Sequence, residues 1–262
     1  MQLEGERTGS GVPVVLLHGL SATRRYVLMG SRHLTRAGAE LVAYDARGHG
    51  ASGPAPSREA YEYADMVLDL ETVLASVGSP VVLAGNSMGA ATAAAYALEH
   101  PERVSALVQV TPGFSGAGRD DQEMGNWEAL ADGLESDGVD GFMQAFEPPR
   151  EPRFREAALK FTRQRIERHE HPEAVADALR VVPRSAAFEG LDSLRSLEMP
   201  TLVVGSRDES DPGHPLSLAK AYAEHLPNSQ FLVEREGESP LAWQGAQLSR
   251  AIESFLREAQ LL

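Results

Sequence analysis

The sequence predicts an α/β protein built on a mostly parallel sheet. Short apolar runs at 13–17, 41–44, 81–84, 104–110 and 200–204 alternate with segments of helical period. Such alternation implies crossover connections between parallel strands. The run at 81–84 also leads directly into Gly85-Asn86-Ser87-Met88-Gly89, a G-x-S-x-G, and then into Ala90, Ala91, Ala93, Ala94 and Ala95. A serine between a buried strand and a helix sits on a sharp turn with its hydroxyl exposed, facing the positive end of the helix dipole.

The elements follow in order along the chain. Pro13-Val14-Val15-Leu16-Leu17 reads as a strand and is followed by His18-Gly19-Leu20. Leu41-Val42-Ala43-Tyr44 reads as the next strand and ends in Asp45-Ala46-Arg47-Gly48-His49-Gly50-Ala51-Ser52. Between 61 and 77, Tyr63, Met66, Val67, Leu70, Val73 and Leu74 recur at helical spacing and mark an amphipathic helix. Val104 to Val110 is the strand after the serine helix.

The pattern then changes. Residues 113–141 are rich in Gly and Asp, with Trp127 and Leu130 as apolar anchors, and Pro148, Pro149 and Pro152 interrupt the chain. A charged helix is expected from Phe154 to about Glu170 and another from Pro172 to about Val182. The strand pattern returns at Pro200-Thr201-Leu202-Val203-Val204 and again at Gln230-Phe231-Leu232-Val233. Leu248, Ile252, Phe255, Leu256 and Ala259 mark a closing helix.

Four of these segments together resemble the α/β-hydrolase fold family: the strand ending in His18-Gly19, the D-x-R-G-x-G-x-S turn from Asp45, the serine turn, and the strand ending in Gly205-Ser206-Arg207-Asp208. The resemblance implies a central sheet with helices on both faces. It further implies a core formed by residues 1–112 and 196–262, with residues 113–195 as a helical cap insertion. It makes Ser87 the nucleophile, the backbone amides of Leu20 and Met88 the oxyanion hole, and His18 a prop for its loop. It implies no cofactor, and a small-molecule substrate or ligand as the partner.

One departure stands out. The family ends with a strand and a G-H turn that supplies the catalytic histidine, whereas here the turn reads Gly237-Glu238-Ser239-Pro240, and no histidine follows His225. Asp208, at the end of its strand, is the expected acid, with Asp211 as the competing choice. His214, in Asp211-Pro212-Gly213-His214-Pro215, is the candidate base, because loops at the carboxyl ends of parallel strands form the ligand crevice. Glu238 is expected within a few ångströms of the Ser87 hydroxyl. It could orient His214, act as a base itself, or mark the loss of hydrolysis. The leading expectation is a serine hydrolase of a small carboxylic ester, lactone or thioester. The alternatives are a ligand-binding protein on the same scaffold and a non-hydrolytic enzyme of the same fold.

Gly48-His49-Gly50-Ala51-Ser52-Gly53 also fits G-x-G-x-x-G, but Pro54 and Pro56 follow at once and give a poor helix opening for a phosphate site. His169-Glu170-His171 puts two histidines on different sides of a helix end, which is unsuited to a metal pair and expected to be solvated. The formal net charge of -14 argues against nucleic acid or an anionic membrane surface as partner. With no cysteine there are no disulfides or thiolate metal sites. Residues 1–12 lack a basic start followed by an apolar stretch, so a cytoplasmic protein is expected.

Overall fold

A computed structural model describes residues 1–262 apart from 79 and 119. The strands are β1 (Gly5–Gly9), β2 (Val12–Leu17), β3 (Ala39–Tyr44), β4 (Val81–Asn86), β5 (Val104–Val110), β6 (Thr201–Val204) and β7 (Ser229–Leu232). The helices are α1 (His33–Arg36), α2 (Tyr63–Leu74), α3 (Met88–Glu99), α4 (Asp121–Ala145), α5 (Pro152–Ile166), α6 (Pro172–Val181), α7 (Leu216–His225) and α8 (Gly245–Glu258). Among the described residues the strands form one sheet in the order β1-β3-β2-β4-β5-β6-β7. Only β1 runs antiparallel to its neighbour.

Side-chain alternation along the strands feeds two cores. Val81 and Leu83 point to the face covered by α2, α3 and α7, where Leu70, Tyr96 and Tyr222 are buried. Val82 and Ala84 point to the opposite face, closed by Leu248, Ile252, Phe255 and Leu256 of α8. Both faces of β4 are therefore apolar, as expected for a central parallel strand. On α8 the buried positions recur at three- and four-residue spacing, so one helix face carries the packing.

The polar strand β1 is absent from the sequence expectation, since all of its residues are exposed and it pairs only along the edge of β3. The Gly- and Asp-rich stretch, for which the sequence marked only Trp127 and Leu130 as anchors, forms α4. Its Ala131, Leu134, Gly141 and Phe142 are buried, and it breaks at Asp137 and Gly138, which leave helical geometry. The close approach of Gly133 to the backbone of Gly141 explains why small residues are placed there. α4, α5 and α6 together stand over the carboxyl end of β4 and enclose a separate apolar cluster containing Ala131, Phe142, Ile166 and Leu179.

Candidate active site

Ser87 sits between β4 and α3 at φ 52°, ψ -109°, a conformation that side chains other than glycine seldom adopt. Two glycines permit this turn. A Cβ on Gly85 would collide with the carbonyl of Gly89, and one on Gly89 would collide with the carbonyl of Leu17. The Ser87 amide donates to the carbonyl of Val110 at 3.0 Å, which ties the turn to the end of β5. Gly113 approaches so closely that a Cβ there would lie 2.7 Å from the serine Oγ.

His214 reaches this serine from the loop between β6 and α7. Its Nε2 is 2.8 Å from Ser87 Oγ. Its Nδ1 is 3.0 Å from each carboxylate oxygen of Asp211. A carboxylate can only accept here, so Nδ1 carries the proton and donates, leaving Nε2 to accept the serine hydroxyl proton. Imidazole and carboxylate thus share one turn, closed by the His214 amide donating to the Asp211 carbonyl at 3.2 Å.

Asp208 is not the carboxylate that meets the histidine. It is exposed, and its Oδ1 accepts the amide of Leu216 at 2.7 Å, capping the first turn of α7. Asp208 and Asp211 both follow β6, but the turn that carries His214 begins at Asp211, so it is Asp211 that meets the ring.

Glu238 also stands apart from the serine. It is exposed, does not line the cavity around Ser87, and folds back to accept the Arg235 amide at 3.4 Å within its own turn. The buried carboxylate of this segment is Glu234, which the sequence reading missed. It accepts the amide of Arg207 at 2.7 Å and contacts Ser210 Oγ at 3.4 Å, bracing the loop that carries Asp211 and His214. A single acid directly after an edge strand carries no sequence signal of such a role.

The loop after β2 is held by a row of histidines, of which His18 and His49 are buried and His169 is half-buried. His18 donates from Nδ1 to the carbonyl of Gly19 at 2.8 Å and accepts the Ala46 amide on Nε2 at 2.8 Å. The His18 ring lies 5.2 Å from that of His49, which lies 5.5 Å from that of His169. His169 accepts the Gly50 amide on Nδ1 at 2.8 Å and donates to the Ser21 carbonyl at 3.2 Å. The expectation of a solvated His169 is thus corrected, because it pins the α5–α6 turn onto the loop after β2. Burial, and then the neighbouring His49, push His18 and His169 down to about 3, so both are neutral at physiological pH.

Leu20 lines the cavity beside Ser87 in the turn closed by Ala22 donating to Gly19. Met88 is the first residue of α3, so its amide has no acceptor within the helix. The cavity itself has a volume of about 220 Å³. Its walls include Tyr26, Trp127, Phe142, Phe161 and Trp243, with Asn86, Thr162 and Arg165 among the polar groups. That volume is just below the usual range for ligand pockets, roughly 300–1,000 Å³, so small ligands fit best.

A family model described as alpha/beta hydrolase fold matches residues 12–246. The chain belongs to this family. It is 28% identical to the 2-hydroxy-6-oxononadienedioate/2-hydroxy-6-oxononatrienedioate hydrolase 2 of Pseudomonas putida over 98% of this chain and 92% of that protein. It is 34% identical to epoxide hydrolase B of Mycobacterium tuberculosis, over 41% of this chain and 31% of that protein. The chain spans less than half the length of several curated relatives that it matches. Among solved structures, a thermophilic esterase from Thermogutta terrifontis, described as malate bound, superposes with a TM-score of 0.81 at 25% identity, over 98% of this chain and 93% of that one. Members of this α/β-hydrolase family thus include esterases and epoxide hydrolases.

Proposed function

We propose that this α/β-hydrolase is a serine hydrolase that cleaves a small carboxylic ester, lactone or thioester through an acyl-enzyme on Ser87. The observation that carries this is the continuous hydrogen-bond path from Ser87 Oγ through His214 to Asp211. A binding protein has no use for a base positioned on a strained serine that faces a cavity, so the enzyme is the better reading.

In the proposed reaction His214 Nε2 takes the hydroxyl proton as Ser87 Oγ attacks the acyl carbon. Asp211 holds the imidazole in the tautomer that can accept, and stabilises the imidazolium that forms. The amides of Leu20 and Met88 stabilise the developing oxyanion, a contribution worth about 3–4 kcal/mol per donor in comparable sites. His214 then returns the proton to the departing oxygen or sulfur. A water activated by the same imidazole attacks the acyl-enzyme, and Ser87 is regenerated. Asp208 and Glu238 have no part in this scheme.

A fluorophosphonate probe tests the scheme directly. The protein should label at Ser87, and labelling should vanish in both Ser87→Ala and His214→Ala. Turnover of p-nitrophenyl esters should fall by orders of magnitude in both variants. Equal turnover in Ser87→Ala and the parent protein would end the hydrolase reading.

A further inference from the structure

Arg165 lies on the last turn of α5 and lines the cavity that holds Ser87 and His214. The side chains around it offer the guanidinium an aromatic face but no ion pair. Its Nε is wholly buried with no hydrogen-bond partner. Its guanidinium carbon stands 5.6 Å from the centre of the Phe161 ring, which itself packs against Tyr26. Other inward-facing arginines are treated differently. Arg47 is paired with Asp65 and Asp69, and Arg180 with Glu128, Asp132 and Glu135. Among the described residues Arg165 has no ion pair.

Two carboxylates share the cavity, and neither satisfies it. Asp211 attracts Arg165 but gives both of its oxygens to His214. Glu147 is exposed where it meets the cavity. Burial pushes the guanidinium below its ordinary value, with Asp211 and then Tyr26 pulling the other way. An arginine nevertheless stays charged in a protein, and an unmatched buried charge is retained at a cost unless a ligand completes it.

We infer that Arg165 is a specificity-determining residue that seats a carboxylate, so that the substrate cleaved at Ser87 is a short ester or lactone bearing a second, anionic group. The inference rests on the hydrolase reading and narrows its substrate class. A guanidinium matches a carboxylate with two parallel hydrogen bonds, which no lysine reproduces. A single arginine in a small, aromatic-walled space suits a carboxylate better than a phosphate, which calls for more donors. Seating the anion there would also fix the reacting carbonyl relative to Ser87.

The test compares p-nitrophenyl hemiglutarate with p-nitrophenyl pentanoate, a neutral ester of similar length, at constant ionic strength. The parent protein should prefer the anionic ester at least tenfold in kcat/KM. Arg165→Met should lower that ratio tenfold or more, and Arg165→Lys should fall between, keeping the charge without the fork. Binding provides a second readout that needs no turnover. Glutarate should quench or shift the fluorescence of Trp127 and Trp243 in Ser87→Ala, and not in Ser87→Ala carrying Arg165→Met; circular dichroism would verify that each variant is folded. Glutarate binding that depends on Arg165, without ester turnover, would overturn the hydrolase reading and keep the anion site. Turnover with the same ratio in parent and Arg165→Met, and glutarate binding unaffected by the change, would overturn the anion site and keep the hydrolase. Saturation by inorganic phosphate alone would overturn the choice of carboxylate.

Discussion

His214 Nε2 stands 2.8 Å from Ser87 Oγ, although the two residues are 127 positions apart. The carboxylate on the other side of the same ring, Asp211, is only three positions away. The long-range half of the relationship is delivered by parallel strands, since β4 and β6 both end at the same edge of the sheet, with β5 between them. The short-range half is delivered by a single turn.

Replacing the two aspartates should separate chemistry from stability. Asp211→Asn removes the negative charge that stabilises the imidazolium and can turn an amide N–H toward Nδ1, favouring the wrong tautomer, and should lower kcat roughly 10³- to 10⁴-fold. Asp208→Asn keeps a side-chain oxygen for the Leu216 amide and should leave kcat within a few-fold. Asp208→Ala removes the cap on α7 and should cost about 1 kcal/mol in urea unfolding. A larger loss of kcat in Asp208→Asn than in Asp211→Asn would reverse the assignment.

Glu238→His recreates the histidine usual in the family, but on a turn that faces solvent. Esterase activity should stay within about twofold of the parent protein. A strong rise in kcat would mean that the turn after β7 reaches the serine in solution.

The backbone at Ser87 gives a stability prediction. At φ 52° and ψ -109° glycine is at ease and alanine is not. Both Ser87→Gly and Ser87→Ala lack the nucleophile, yet Ser87→Gly should be the more stable by about 1 kcal/mol after the greater entropy loss of glycine is counted. Calorimetric melting of the two variants side by side decides it.

Acid should weaken the fold through two of these inward-facing histidines. His18 and His169 are held down to about 3 by burial, against an ordinary value of 6.5. Between those values the unfolded chain takes up protons that the folded chain refuses. These groups therefore leave stability unchanged above about pH 7 and lower it as the pH falls, each by up to about 1.4 kcal/mol per pH unit. Urea midpoints measured from pH 7.5 to 4.5 should show the decline, and His169→Gln should make it shallower. A profile indifferent to His169→Gln would show that this ring is protonated, or released, in the folded protein.

The sheet was legible because buried parallel strands announce themselves: Val81-Val82-Leu83-Ala84 is apolar on both faces, and the glycines at 85 and 89 answer a steric demand of the turn. His214 was legible as a loop histidine at the carboxyl end of a strand. The choice between Asp208 and Asp211 was not, because two acids in one loop differ only in the direction of a turn whose hydrogen bonds the sequence does not display. Glu238 was misread for the opposite reason: its place in the order of elements was right, but Glu234 draws inward just before it and sends the turn outward. Arg165 and His169 were hidden by their company. They belong to a stretch whose many charges read as a solvated helix, while burial there depends on which side meets the loops below.

Because Asp211 and His214 ride on one tetrapeptide, the proposed chemistry draws on two places along the chain rather than three. In that scheme the closing stretch from β7 onward supplies Glu234 as a brace and Trp243 as part of the cavity wall, and no reacting group. Insertions in the 237–239 turn should then be absorbed as surface variation, whereas lengthening 211–214 by one residue would disable base and acid at a stroke. Such an arrangement exchanges the independent adjustability of two distant loops for a unit that can be lost, or inherited, only whole.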